Sequence, residues 1–174
     1  MKIATTVLFC VLFLVGCTAS ARPNSSVQNT SQAKPSITDA TIIPASPANI
    51  LAGDVSKYLE FSQAEYDKAI LEHKVIYLEF YAAWCPTCKA QEPALFSTFD
   101  ELNDPNLVGF RVNYKDSSTD SSEIALADNF NVSYQHTKVI LHDGQVLFNK
   151  NEIWDKKTAY AKLSAYLNEH EQGH

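Results

Sequence analysis

Two cysteines stand two residues apart in Trp84-Cys85-Pro86-Thr87-Cys88-Lys89, and that spacing suits two chemistries. One is half of a structural zinc site, which needs two more ligands. The other is a redox dithiol, in which one thiolate attacks a disulfide and the second cysteine closes a ring to release the product. The remaining cysteines, Cys10 and Cys17, lie far upstream in an apolar leader. The zinc reading therefore lacks its second pair, and redox chemistry is the reading to carry forward.

The elements around the pair support it. Val75-Ile76-Tyr77-Leu78 is an apolar run, β-branched and aromatic, that reads as a strand buried on both faces. From Ala90 to Leu102, Ala94, Leu95, Phe99 and Leu102 fall at helical spacing. The cysteines thus sit where a buried strand turns into a helix. There, unpaired N–H groups and the positive end of the helix dipole favour thiolate over thiol at Cys85. Cys85 is the expected nucleophile, the more exposed of the two, and Cys88 the resolving thiol. Glu79 interrupts the apolar strand. Buried, its carboxyl should titrate above the ordinary range; the alternative is a strand-end glutamate reaching solvent.

Taken in order, Tyr58-Leu59-Glu60-Phe61 reads as a first strand, and Ser62-Gln63-Ala64-Glu65 as a capping box opening a helix to Glu72. Pro93 should kink the cysteine-bearing helix, and Asn103-Asp104-Pro105-Asn106 stops it. Leu107–Tyr114 is a strand. Asp120 caps a short helix carrying Ile124, Leu126, Ala127 and Phe130. Val139–Leu141 and Val146–Phe148 flank Asp143-Gly144, a hairpin signal. Asp155 opens a last helix whose Ala159, Tyr160, Leu163, Tyr166 and Leu167 form one apolar stripe, expected in the core.

Tyr81-x-x-Trp84-Cys85-x-x-Cys88-Lys89 with Pro93 five residues later resembles the thioredoxin superfamily, in particular its secreted and membrane-anchored thiol-disulfide oxidoreductases. The resemblance covers roughly Lys57 to Glu169. It implies an α/β, thioredoxin-like fold: a central mixed β-sheet flanked by helices on both faces, in the order β-α-β-α-β-α-β-β-α. It also implies that Glu79, six residues before Cys85, relays a proton to and from Cys88. Substrate would be held by Trp84 and Pro86 and by the segment Gln135-His136-Thr137. In that segment the family places a cis-proline where this chain has His136. A cis bond before a non-proline residue costs about 3–4 kcal/mol, so Gln135–His136 is expected to be trans. Histidine followed by threonine here also resembles the SCO-type copper chaperones, which bind copper through two cysteines and a histidine. That resemblance gives a second expectation, a copper(I) site of Cys85, Cys88 and His136. The thioredoxin reading itself requires no cofactor.

The 174-residue chain carries a formal charge of −6. No cluster of Lys or Arg exceeds two adjacent residues, so nothing suggests nucleic-acid binding. Met1-Lys2 followed by an apolar run from Ile3 to Val15 reads as a signal peptide. Its end, Leu14-Val15-Gly16-Cys17, resembles the lipobox of bacterial lipoproteins, with Cys17 the acylated residue; the alternative is ordinary cleavage near Ala19-Ser20-Ala21. Residues 1–16 are thus an expected lipoprotein signal peptide, 17–52 a flexible tether rich in Ser, Thr, Asn and Ala, and 53–174 the domain. The expected location is extracytoplasmic, anchored in the bilayer through Cys17, at the outer membrane where the cell has two. The expected partners are protein disulfides or dithiols and a membrane electron donor or acceptor, met by a monomer.

Overall fold

A computed structural model describes residues 48–171; the leader, Cys17 and most of the expected tether lie outside them. No helix among the described residues is long and apolar enough to cross a membrane.

The elements run β1 (Ile50–Ala52), β2 (Lys57–Glu60), α1 (Gln63–Leu71), β3 (Val75–Tyr81), α2 (Pro86–Glu101), β4 (Leu107–Asn113), α3 (Ser121–Asn129), β5 (Thr137–His142), β6 (Gln145–Asn151) and α4 (Lys156–Glu171). The strands form one mixed sheet in the order β1-β2-β4-β3-β5-β6. β2, β4 and β3 are parallel; β1, β5 and β6 join antiparallel. All seven residues of β3 are buried, as its unbroken apolar run implies.

Alternation along the strands makes two cores. Tyr58, Tyr77, Ile140 and Phe148 face α2 and α4, meeting Leu95, Phe99, Ala159, Leu163 and Leu167. Leu59, Ile76, Leu78, Phe80, Phe110 and Val139 face α1 and α3, meeting Ala69, Leu126 and Phe130. The expected α/β class, with helices on both faces, is the observed one.

Caps fix the helix starts. Ser62 Oγ accepts the Glu65 N–H, and Asp120 with Glu123 closes a full capping box on α3. The β5–β6 turn holds Asp143 and Gly144 both at positive φ, as a tight two-residue hairpin turn requires.

Two readings need correcting. Ile50–Ala52, at the end of the expected tether, is a strand paired with β2, so regular structure begins earlier than residue 53. Tyr160 is 39% exposed and does not belong to the core. α4 buries a narrower stripe than its apolar residues suggest.

Gly109 of β4 lies where Tyr58 stacks on Phe99, ring centroids 4.9 Å apart. A Cβ at Gly109 would come within 2.4 Å of Phe99 Cζ and 2.7 Å of Tyr58 Cδ2. Gly109→Ala is therefore expected to cost about 1–3 kcal/mol through overpacking. A lower denaturant midpoint at unchanged slope would register this, whereas an unchanged midpoint would refute the tight contact.

Candidate active site

β3 ends at Tyr81, and Ala82-Ala83-Trp84 turns the chain into α2, whose N-cap is Cys85. Pro86 occupies the first helical position, where its missing N–H is no loss. Cys85 and Cys88 are joined as a disulfide, Cα atoms 5.3 Å apart. The Cys88 N–H donates to Cys85 Sγ at 3.1 Å, so one of the helix's unpaired donors already points at the sulfur expected to attack. Cys85 is 4% exposed and Cys88 fully buried, the expected order. With Tyr81 and Ala82 they form a small cluster of their own.

Trp84 is 55% exposed and held by its Nε1–H, which donates to the Lys115 carbonyl at 3.1 Å. The Ala83 N–H donates to Asp116 Oδ2. Burial would raise the Asp116 carboxyl, but the Ala83 bond, with those from Ser118 and Thr119, outweighs it and holds the group below its ordinary range. An open hollow beside the disulfide is lined by Pro86, Thr87, Ala90, Ile153, Trp154 and Asp155.

Glu79 is fully buried, so the alternative of a strand-end carboxylate in solvent does not hold. Two residues after Tyr77, it points to the α2 side of the sheet, where the buried residues of α2 include Cys88, Gln91 and Leu95. Tyr58 Oη donates to its Oε2 at 2.9 Å. Lys138 Nζ lies 3.7 Å from Oε1. Burial raises the Glu79 carboxyl and outweighs the opposing pull of Lys138 and the Tyr58 hydrogen bond. Arg111, on β4 next to Glu79 in register, is ion-paired to Glu60 and Glu92.

His136 sits just before β5, its N–H bonded to the Phe80 carbonyl, which sets it beside the end of β3. The described chain has no cis peptide, so Gln135–His136 is trans as expected, and His136 takes a left-handed φ of 67°. Its ring is buried, with Nδ1 3.8 Å from Glu79 Oε1. Burial first, and Lys138 second, lower its pKa to about 4, so the imidazole is neutral at pH 7. Neither ring nitrogen has a hydrogen-bond partner. Among the described residues no three His, Cys, Asp or Glu side chains are placed to hold a metal ion. The expected copper set of Cys85, Cys88 and His136 is not assembled in this form, in which the two sulfurs are bonded to each other.

The rest of that segment is tied internally. The Gln135 carbonyl accepts from Asn151 Nδ2 at 2.7 Å, and Thr137 Oγ1 donates to the Tyr134 carbonyl. Cys17 lies outside the described residues. Sequence reasoning missed Lys138, Tyr58 and Arg111. The available signal was two opposite charges, Glu79 and Lys138, each interrupting an apolar strand.

The thioredoxin family model matches residues 57–169. No curated protein matches the chain. Among solved structures, Trxlp from Edwardsiella tarda EIB202 is 28% identical, covering 62% of this chain and 95% of its own, at a TM-score of 0.47. A single-residue mutant of the thioredoxin from Halobacterium salinarum NRC-1 is 24% identical, covering 63% and 88%, at 0.48. The J-Trx1 fragment of ERdj5 is 17% identical, covering 64% and 52%, and at 0.52 supports the fold alone.

Proposed function

Since the chain belongs to the thioredoxin family, we propose that it is a thiol-disulfide oxidoreductase acting on protein disulfides outside the cytoplasm, tethered to the bilayer through Cys17. The observation that carries the reading is the Cys85–Cys88 disulfide at the N-terminus of α2, above a buried acid. The leader and Leu14-Val15-Gly16-Cys17 support the location.

In the reducing direction, Cys85 thiolate attacks a substrate disulfide. One substrate thiolate leaves, and a mixed disulfide forms at Cys85. Glu79 takes the proton of the Cys88 thiol, and Cys88 then attacks Cys85 Sγ. The Cys85–Cys88 bond closes as the bond to substrate breaks, and the leaving thiolate is protonated. Two electrons pass from the dithiol to the substrate. A membrane dithiol donor restores the reduced pair; run backwards, the same steps insert disulfides. Exposed Trp84, Pro86 and the Gln135-His136-Thr137 segment would flank the bound substrate.

The test has two parts. A brief iodoacetamide pulse on the reduced chain at neutral pH should label Cys85 first and spare Cys88; the reverse order would overturn the assignment. Reduction of a protein disulfide should be slowed in Glu79→Gln while the circular dichroism spectrum is unchanged. Equal rates from pH 6 to 9 would remove Glu79 from the mechanism.

A further inference from the structure

Lys138 is fully buried in the middle of the sheet, which is rare for a lysine without a purpose or a partner. It stands directly opposite Glu79 in the β3–β5 register. Its ammonium has three donors. One goes to the Glu152 carbonyl at 2.7 Å and one to the His136 carbonyl at 3.3 Å. The third direction is left for Glu79 Oε1, 3.7 Å away, an oxygen that has no hydrogen bond. Trp154 covers the group, its ring centroid 5.6 Å from Nζ.

We propose that Lys138 is a positioning residue for the exchange reaction, a built-in counter-charge that keeps the buried Glu79 carboxylate able to accept the proton of Cys88 near neutral pH. This rests on the assignment of Glu79 as the proton acceptor.

The surroundings leave Lys138 as the cation for this task. On β2, Tyr58 donates a hydrogen bond to the other carboxylate oxygen. On β3, the unpartnered Tyr77 hydroxyl is neutral, since burial first and Glu79 second push it far up. On β4, Arg111 also favours the Glu79 carboxylate, but less than Lys138 does, being engaged by Glu60 and by Glu92 of α2, and Glu92 opposes it. Before β5, the His136 ring is neutral. Beyond β6, the Glu152 carboxylate is held by Trp154 Nε1 and Lys162 of α4. Burial lowers the Lys138 pKa to about 8, against the pull of Glu79; the ammonium is therefore still the major form at pH 7. A carboxylate buried without a counter-charge would stay protonated and be unable to serve as a base.

The same two carbonyl contacts tie the entry to β5 to the loop leading into α4, both at the disulfide end of the sheet. Loss of Lys138 could therefore loosen the fold as well as change the charge, so the test must separate the two. The readout is the pH profile of single-turnover resolution, in which Cys88 displaces a chromogenic thiol from Cys85. Lys138→Met keeps most of the side-chain volume. It should move the profile up by one pH unit or more, slowing the reaction about tenfold at pH 7 and leaving it near wild type at high pH. In a Glu79→Gln background, Lys138→Met should produce no further shift. A shift of equal size in that background, or superimposable profiles in the single variant, would overturn the proposal. Slowing by Glu79→Gln alone would leave the Glu79 assignment standing. A second measurement needs no Lys138 variant: the 13C signal of the wild-type Glu79 carboxyl, followed with pH in the reduced chain. It should titrate in the neutral range. A carboxyl still protonated at pH 9 would overturn the proposal even if Lys138→Met fails to fold.

Discussion

Cys88→Ser should leave the chain able to attack a disulfide but unable to let it go. Cys85 keeps its place at the head of α2, with backbone N–H groups and the helix dipole favouring its thiolate. The serine hydroxyl cannot displace the substrate thiol from Cys85 Sγ. Turnover of a protein disulfide is expected to fall by about three orders of magnitude. A covalent adduct of chain and substrate should accumulate, visible as a heavier species on a non-reducing gel and cleared by dithiothreitol. Cys85→Ser should lose the same activity with no adduct. Both variants should lose about 2 kcal/mol relative to the disulfide-bonded chain, the chain-entropy value for a loop closed at a sequence separation of three residues. An adduct forming through Cys88 instead would reverse the roles of the two sulfurs.

The second large effect is on stability in acid. The buried His136 imidazole titrates at about 4 in the folded chain, against an ordinary value of 6.5. Between those values the unfolded chain binds a proton there and the folded chain does not. The corresponding stability is complete above pH 6.5 and is lost as the pH falls toward 4. The shift corresponds to about 3 kcal/mol. His136→Asn removes the titrating ring and puts a residue tolerant of left-handed φ at the 67° position. Any cost of lost packing is the same at both pH values and cancels. Urea midpoints at pH 7 and pH 4 should show the wild type losing about 3 kcal/mol more than the variant. Equal losses would mean that the folded chain accepts the proton at His136 as readily as the unfolded one.

Local signals made much of this fold readable in advance. Asp143-Gly144 meets the demand of a hairpin turn for positive φ, and Ser62 and Asp120 mark helix starts through side-chain oxygens beside the chain they cap. The cysteine pair was placed by the change of period from an unbroken apolar strand to a helical stripe. What was not readable depends on partners far away in sequence. Ile50–Ala52 is too short to show any period and is a strand only because β2 offers it a free edge. Lys138 stands out as a charge at the head of an apolar run, but the run does not say which partner it meets. Its burial follows from β5 pairing with β3 in the register that brings it against Glu79. Tyr160 carries an apolar ring on the right side of α4 by composition, but the layer above the sheet is already filled by Ala159, Leu163 and Leu167. The orientation of His136 could not be foreseen either. A left-handed φ at that residue turns the ring away from where an extended strand would send it.

The chain has two tryptophans, and the fold puts them in opposite settings. Trp84 is more than half exposed and adjacent in sequence to the disulfide, while Trp154 is 1% exposed and packed against Tyr77 and Phe148. An excited indole readily gives up an electron to a nearby disulfide, so Trp84 emission is expected to rise when the sulfurs part. Trp154 lies inside the core and emits toward the blue until that core opens. Reduction of the sulfurs is thus expected to act most on the exposed indole, and opening of the core most on the buried one.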